Sequence, residues 1–172
     1  MHSDLTEWIR DIPDFPKKGI VFKDITPLLA HGPALREAVE RIADPFRGQV
    51  DVVLGIESRG FILGAPAAVR LGVGFAIVRK PGKLPWQTHS ATYELEYGTD
   101  SLEIHRDAVG HGHRVLIVDD LLATGGTARA GIELVQGLGG NVVACAFLIE
   151  LAFLGGRKNV APVPVHSLIR YD

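Results

Sequence analysis

The 172-residue sequence contains one cysteine, Cys145, and one methionine, at position 1. A single cysteine excludes both an intramolecular disulfide framework and a Cys-x-x-Cys metal site. The residues around Cys145 are apolar, from Val142 to Phe147. Nothing in that setting would lower the pKa of a thiol, so we predict a buried strand residue rather than a nucleophile.

The sequence also lacks a long apolar run and a strong excess of charge. No run approaches the roughly 18 residues of a membrane helix, and Asp4, Glu7 and Arg10 lie close to the N-terminus. We therefore expect no membrane span, no signal peptide and a cytoplasmic location. The net charge of −2 is too small for a general electrostatic grip on nucleic acid. Any anion must therefore be bound by a local cluster of residues.

What the chain does contain is enough apolar sequence, 47%, for one globular domain spanning residues 1–172. Short β-rich runs of the kind buried in parallel sheets occur at Val52–Leu54, Phe75–Val78, Val115–Val118, Val142–Leu148 and Val165–Ile169. Helical segments alternate with them, at Phe61–Leu71 and Thr127–Leu138. This alternation predicts an α/β fold with a central, mainly parallel sheet flanked by helices.

Two segments depart from the alternation. Before the first run, the apolar spacing predicts a helix from Leu5 to Ile12 that Pro13 ends, then a loop or short extended piece, then a helix opening near Pro33. In the insertion from Lys80 to His105, residues 92–97 alternate in polarity, which predicts a half-exposed strand. We expect it to pair with Ser101–His105 across a turn at 98–100.

The strongest chemical signal follows the third run, where a strand ends in Asp119 and Asp120 and leads through a Thr/Gly loop into a helix. A glycine-rich turn at a helix N-terminus presents backbone N–H groups and the positive end of the helix dipole to a phosphate. Two carboxylates would repel that phosphate unless the ligand also carried hydroxyls or a metal ion, as a ribose phosphate does. The simpler alternative is a strand–helix turn capped by Thr127.

Cationic side chains follow the other two central runs. Arg59 stands beside Gly60 after the first run, and Arg79, Lys80 and Lys83 follow the second. Arginine suits a bidentate grip on pyrophosphate, although a solvated basic turn would look the same. Because ligands of open α/β sheets bind beyond the carboxyl ends of the strands, we expect these segments to meet the acidic pair.

The acidic pair and its loop resemble the signature of the type I phosphoribosyltransferases, which bind 5-phosphoribosyl 1-pyrophosphate (PRPP). The resemblance implies that Asp119 and Asp120 hold the ribose hydroxyls. It assigns the 5′-phosphate to Ala123, Thr124, Gly125, Gly126 and Thr127. It assigns binding of the pyrophosphate to Glu57, Ser58, Arg59, Arg79, Lys80 and Lys83. It also implies a cis peptide bond between Glu57 and Ser58, and Mg²⁺ bound mainly through substrate oxygens and water.

Nearly the whole chain, from Ile12-Pro13-Asp14-Phe15-Pro16 to the loop, is similar to the adenine-specific members of that family. The resemblance implies transfer of the phosphoribosyl group from PRPP to N9 of adenine in purine salvage, by a homodimer. It makes residues of about 1–33 a hood over the base and residues of about 80–105 a flexible loop and hairpin, with Glu96 as the catalytic acid or base. Adenine would be held by Phe15, Val21, Lys23 and Leu121.

Two positions depart from the family's commonest pattern, because Lys18 stands for a frequent proline and Lys23 for a frequent arginine. Two other functions stay open at this point. One is a phosphoribosyltransferase for another purine, such as hypoxanthine or xanthine. The other is a regulator that keeps the fold, senses PRPP and binds nucleic acid, although such proteins usually carry a basic face that this chain lacks.

Overall fold

The structure is a computed structural model that describes residues 4–94 and 99–172. Its strands are β1 (Arg10–Pro13), β2 (Val21–Asp24), β3 (Val52–Ile56), β4 (Gly74–Arg79), β5 (Thr88–Glu94), β6 (Thr99–His105), β7 (Arg114–Leu122), β8 (Asn141–Leu151) and β9 (Val165–Tyr171). Its α-helices are α1 (Thr26–Ala30), α2 (Gly32–Ala43), α3 (Arg59–Leu71), α4 (Gly126–Gly137) and α5 (Gly156–Val160). Short 3₁₀ turns cover Leu5–Trp8, Asp44–Phe46 and Ala152–Leu154.

Seven strands form the central sheet, in the order β5-β6-β4-β3-β7-β8-β9. Five neighbouring strands run parallel, namely β4, β3, β7, β8 and β9. At one edge of the sheet, β6 pairs antiparallel with β4, and β5 pairs antiparallel with β6. The mainly parallel α/β sheet with an antiparallel insertion is thereby confirmed. The chain passes from β3 to β4 on one side and later to β7 on the other, so the strand order reverses at β3.

Both faces of the sheet are covered, as the continuous apolar runs predict. Val53, Leu116 and Val118 point into a core shared with α2 and α3, while Leu54 and Ile117 point into a second core shared with α4 and α5. Cys145 is fully buried in the second core, as predicted. Burial raises the pKa of its thiol to about 12, which keeps the sulfur protonated at neutral pH.

The N-terminal segment differs from the predicted helix. Only Leu5–Trp8 is helical, as a 3₁₀ turn, and Arg10–Pro13 pairs with Val21–Asp24 as an antiparallel ribbon. Trp8 stacks on His31 with ring centroids 3.7 Å apart, so the apolar residues that suggested a helix serve to fasten the turn to the domain. The prediction was wrong because tertiary packing overrides an apolar spacing that spans only two turns.

The insertion contains the predicted hairpin with a displaced turn. β5 pairs with β6 in a register that sets Thr88 opposite His105 and Glu94 opposite Thr99. Thr99 and Asp100, which we assigned to the turn, lie in β6, and the connection falls on residues 95–98, outside the described residues. Within the described residues, no helix is long and apolar enough to cross a membrane.

Candidate active site

A cavity of about 400 Å³ opens at the carboxyl ends of β3 and β7, where the strand order reverses and ligands of open α/β sheets bind. It brings together residues from six places in the sequence, at 57–59, 80, 93, 102, 119–128 and 147. Its lining comprises Glu57, Ser58, Arg59, Lys80, Tyr93, Leu102, Phe147 and the continuous stretch from Asp119 to Ala128. The convergence expected from the sequence is therefore present in the fold.

The Thr/Gly loop forms one wall of this cavity. β7 continues through both aspartates to Leu122, so the strand is longer than the sequence indicated, and α4 begins at Gly126. Gly125 precedes the helix with φ +87°, a conformation that favours glycine. The N-cap position is Gly125, which has no side chain, and Thr127 lies inside the helix and is therefore not its cap. The first N–H groups of α4 are therefore available to an anion.

Asp119 and Asp120 occupy different surroundings although they are neighbours. Asp120 is buried, and its Oδ2 lies 2.5 Å from Nε of Arg59. Asp119 lies under the start of α3, where a Cβ on Gly60 would come within 3.0 Å of its Oδ1. Burial, and secondly the charge of Asp120, raise the pKa of Asp119 well above its ordinary value. The absence of a side chain at Gly60 is what allows this close approach.

Three of the predicted pyrophosphate ligands, Arg59, Arg79 and Lys80, are already paired with acids. Arg79 makes a bidentate ion pair with Glu57, with Nη2 to Oε1 at 2.9 Å, and the backbone N–H of Lys80 donates to the same carboxylate. The hydrogen bonds from Arg79 and from Lys80 hold the pKa of Glu57 below its usual value. The Lys80 ammonium pairs with Asp100. Glu57, Ser58, Arg59 and Lys80 line the cavity, whereas Arg79 and Lys83 do not.

The peptide bond between Glu57 and Ser58 is cis, as the family resemblance implied. Arg59 follows it, and its guanidinium lies 5.3 Å from the ring centroid of Phe22 in β2. The ribbon of β1 and β2 thus reaches the cavity wall through Phe22, a residue that the sequence did not single out.

Of the four predicted adenine contacts, the structure places one, Leu121, in the cavity. Phe15 is 51% exposed and lies edge-on to Phe22 with centroids 5.2 Å apart, and Val21 is also exposed. The Lys23 side chain points elsewhere, since its Nζ lies 2.7 Å from Asp11 and 4.0 Å from the ring centroid of Tyr171. Any contact from position 23 to a base must therefore be made by the backbone.

Several cavity residues were missed from the sequence. Asp100 accepts hydrogen bonds from Lys80 and from the Tyr93 hydroxyl, the latter at 3.1 Å, and Leu102 lines the wall beside them. The alternation of the hairpin could have indicated Tyr93 and Leu102, because both lie on the face of their strands that is turned inward. Glu96, the predicted catalytic residue, lies outside the described residues.

The described residues contain no group of three or more His, Cys, Asp or Glu side chains able to hold a metal ion. What they do form is a set of complementary subsites at one sheet edge: a helix N-terminus with free N–H groups, two acids, and cations with acidic partners. A sugar that carries a phosphate on one side and a pyrophosphate on the other matches all three. The fold and this site define a phosphoribosyltransferase.

Comparison with known proteins agrees with this class. Residues 24–165 match the phosphoribosyl transferase domain family. The chain is 58% identical over 170 residues to an adenine phosphoribosyltransferase of Geobacter metallireducens, covering 98% of this chain and 99% of that one. A crystal structure of the enzyme from Thermoanaerobacter pseudethanolicus superposes with a TM-score of 0.94 at 57% identity, covering 97% and 98% of the two chains.

A more distant structure comes from Saccharomyces cerevisiae, with a TM-score of 0.91 at 40% identity and 95% coverage of both chains. That adenine phosphoribosyltransferase is bound to adenine and to an imino-altritol bisphosphate. The chain belongs to the adenine phosphoribosyltransferase family and is a transferase. Of the three functions that the sequence left open, the comparisons favour the adenine-specific one.

Proposed function

We propose that the chain transfers the 5-phosphoribosyl group from PRPP to N9 of adenine, giving AMP and pyrophosphate in purine salvage. One observation carries the assignment of roles: the acidic pair, the uncapped N-terminus of α4 and Arg59 face one cavity. The 5′-phosphate would bind the loop from Ala123 to Thr127, the ribose hydroxyls would bind Asp119 and Asp120, and the pyrophosphate would bind Arg59 and Lys80.

Ion pairs within the cavity would have to exchange partners when PRPP binds. Arg59 now pairs with Asp120, and both groups are needed for PRPP: the carboxylate for the ribose hydroxyls and the guanidinium for the pyrophosphate. The incoming ligand supplies hydrogen-bond donors to Asp120 and negative charge to Arg59, so neither group is left unpaired. Positioning and stabilisation of the charge on the leaving pyrophosphate are the contribution of the protein.

For the base, we propose that Phe15 and Leu121 enclose adenine while backbone groups near Val21 and Lys23 read its edge. Adenine presents an amine that donates to a carbonyl and a ring nitrogen that accepts from an N–H, which a strand backbone can match. Glu96 would accept the N9 proton or stabilise the ribose cation. Of the remaining predicted pyrophosphate residues, Glu57 and Ser58 already line the cavity, whereas Arg79 and Lys83 would act only after the segment that follows β4 rearranges.

Magnesium is proposed as a companion of PRPP rather than as a resident metal. The pairing of Asp120 with Arg59 and of Glu57 with Arg79 leaves little free carboxylate for an all-protein site. Magnesium keeps several waters and binds readily through phosphate oxygens, so it fits a site of this kind. When bound, it would offset charge on the pyrophosphate and ribose oxygens. We further propose that the protein works in the cytoplasm.

The experiment that tests the function is release of pyrophosphate from PRPP with adenine, guanine, hypoxanthine or xanthine supplied in turn. We expect adenine to be used with a kcat/KM at least about 100-fold above each oxo-purine, because a site that accepts from an exocyclic amine leaves its carbonyl unpaired against an oxo group. A preference for an oxo-purine, or release without any base, would contradict the assignment.

We also propose a homodimer. One face of α3 is apolar and partly exposed, and it carries Ile62, Pro66 and Val69. The Val69 side chain is 82% exposed, and an exposed apolar face of this kind indicates a surface that another protein covers. A second copy would cover this face. We expect Val69→Asp to shift the protein from dimer to monomer in sedimentation velocity, while Phe153→Asp, at another exposed apolar residue, leaves the dimer intact. A monomeric wild-type protein would contradict this proposal.

A further inference from the structure

The short helix α5 packs against the Thr/Gly loop, and none of its residues lines the cavity on which the loop borders. A Cβ on Gly156 would overlap the carbonyl oxygen of Ala123, and a Cβ on Gly125 would lie 2.6 Å from the carbonyl oxygen of Gly156. Loop and helix therefore touch backbone to backbone at these two glycines. Nothing in the roles assigned above uses α5.

One side chain of α5 extends this contact into a hydrogen bond. Nδ2 of Asn159 donates to the carbonyl oxygen of Thr124 at 2.5 Å. The carbonyl of Asn159 in turn accepts from Nη1 of Arg129, which lies in the first turn of α4, at 3.3 Å. Asn159 thereby joins the middle of the loop to the helix that follows it.

The direction of these contacts decides which backbone groups face the cavity. The peptide bonds that follow Ala123 and Thr124 are trans, and in a trans peptide the N–H points opposite to the C=O. Because both carbonyls face α5, the N–H groups of Thr124 and Gly125 are turned toward the other side of the loop, which lines the cavity. A carbonyl in that place would repel a phosphate, whereas an N–H binds it.

α5 is itself firmly anchored, so it can act as a brace. Its last residue, Val160, is buried in the core beneath α4. Arg157 forms a bidentate ion pair with Glu150, 2.6 Å from Nε to Oε1, and Glu150 is 2% exposed at the end of β8. In the register of β7 with β8, Glu150 lies beside Leu122, the residue that immediately precedes the loop.

We propose that Asn159 is a positioning residue for PRPP: by holding the Thr124 carbonyl toward α5, it keeps the loop N–H groups directed at the 5′-phosphate. This inference rests on the proposed function, since it presumes that the loop binds that phosphate. Asn159 does not line the cavity, and its role is confined to the conformation of the loop.

The test is a comparison of KM values in the variants Asn159→Ala and Asn159→Asp. Both remove the N–H donor, and the second keeps the size of the side chain. We expect each to raise the KM for PRPP about 5- to 30-fold while the KM for adenine and kcat stay within threefold of wild type. Asn159→Gln keeps a donor and should lie closer to wild type than Asn159→Ala. Lys158→Ala, at the exposed neighbour on α5, serves as the matched control and should change neither KM.

A role in general stability would give a different pattern. In that case the variants would lower the unfolding midpoint and leave the KM for PRPP unchanged, and this result would overturn the inference. A proportionate rise in both KM values would overturn it too. Absence of adenine-dependent pyrophosphate release from wild-type protein would refute the proposed function and the inference together, whereas an active wild type with normal PRPP KM in both variants refutes the inference alone.

Discussion

Asp119 and Asp120 are adjacent in the chain, and their surroundings predict opposite effects on stability. The pKa of Asp119 is raised, so the fold disfavours its ionised form, and the stability present below its ordinary pKa is lost as the pH rises through the folded value. Asp119→Asn should therefore raise the free energy of unfolding by about 1 kcal/mol at pH 7, with less gain at pH 4.5. Urea unfolding of the ligand-free protein at both pH values checks this.

Asp120→Asn should do the reverse, because it removes the partner of Arg59 from a buried position. The Arg59 side chain is 45% exposed and can reach water, which limits the loss to about 1 kcal/mol at pH 7. Both variants should lose about 100-fold or more in kcat/KM, since both acids are assigned to the ribose. Equal destabilisation by the two substitutions would show that their surroundings do not differ in this way.

Lys23 offers a second test at a single side chain. Its ammonium lies between Asp11 and the ring of Tyr171, and so fastens β2 of the hood to β9 at the sheet edge. Lys23→Met removes a partly desolvated cation–π contact and an ion pair, worth about 1 kcal/mol together. We expect the KM for adenine to rise about three- to tenfold with the KM for PRPP unchanged, as steady-state kinetics can measure.

The controls for Lys23 separate charge from position. Lys23→Arg keeps a cation over the ring and should stay within twofold of wild type, and Lys18→Met removes an exposed lysine of the same segment without effect. If Lys23→Met raises the KM for adenine and the KM for PRPP equally, Lys23 does not act by positioning the segment proposed to cover the base.

The motif residues of the site could be predicted from the sequence because strand ends, glycines and charged clusters are local features. The ion pairs that these residues form with one another could not be predicted. Arg59 with Asp120, Arg79 with Glu57 and Lys80 with Asp100 join residues 20 or more positions apart, and each pairing depends on strand order and register. Lys23 shows the same limit, since Tyr171 comes near it only through the fold.

Among the secondary-structure elements, those of the sheet could be predicted well and those of the hood poorly. The central strands β3, β7 and β8 are apolar runs that are largely buried, so composition alone marks them. β1 and β2 are four-residue strands whose side chains are exposed or half-buried, and no apolar alternation marks such a ribbon. The helix α5 was missed for a related reason: Gly155-Gly156-Arg157-Lys158 is indistinguishable from a surface turn until the ion pair of Arg157 with the buried Glu150 is known.

The anchoring of α5 predicts an asymmetry between two variants. Arg157→Ala leaves the buried Glu150 carboxylate with Ser167 as its remaining side-chain partner, whereas Glu150→Gln leaves an arginine that is 44% exposed. We expect a loss of about 3 kcal/mol for the first and about 1 kcal/mol for the second at pH 7, by urea unfolding.

The pH dependence gives the control for that asymmetry. In wild type, hydrogen bonds from Arg157 and Ser167 lower the pKa of Glu150, so the stability it contributes is present above its ordinary pKa and is lost as the pH falls through the folded value. Without Arg157, burial instead favours the protonated form, and the deficit of Arg157→Ala should shrink between pH 7 and pH 5. A deficit that is constant over this range would assign it to lost packing.

For the chain as a whole, the order of the strands explains why so dispersed a set of residues meets at one place. Right-handed crossovers set parallel strands with their carboxyl ends at one edge, and this rule could be applied before the structure was known. The sequence could not show how far each loop reaches into the crevice. That depends on packing: Arg79, for example, binds the Glu57 carboxylate but does not line the cavity itself.

The same architecture predicts how stability should respond to PRPP and to removal of Mg²⁺. A ligand that binds the folded state alone, at 100 times its dissociation constant, adds about 2.7 kcal/mol, which raises the unfolding midpoint of a chain of this size by about 5–10 °C. We expect this shift with PRPP and Mg²⁺, and most of it should disappear when EDTA is added.

EDTA alone should leave the midpoint of the ligand-free protein unchanged, because the described residues form no group of acids able to hold an ion, and the Asp120 and Glu57 carboxylates are already paired with arginines. Differential scanning calorimetry with PRPP, Mg²⁺ and EDTA in each combination makes the measurement. A fall of the ligand-free midpoint in EDTA would mean that the chain itself holds a metal. In that event the ion pairs of Asp120 with Arg59 and of Glu57 with Arg79 would have to open to bind the metal. These side chains would then exchange partners before PRPP binds, rather than when it binds.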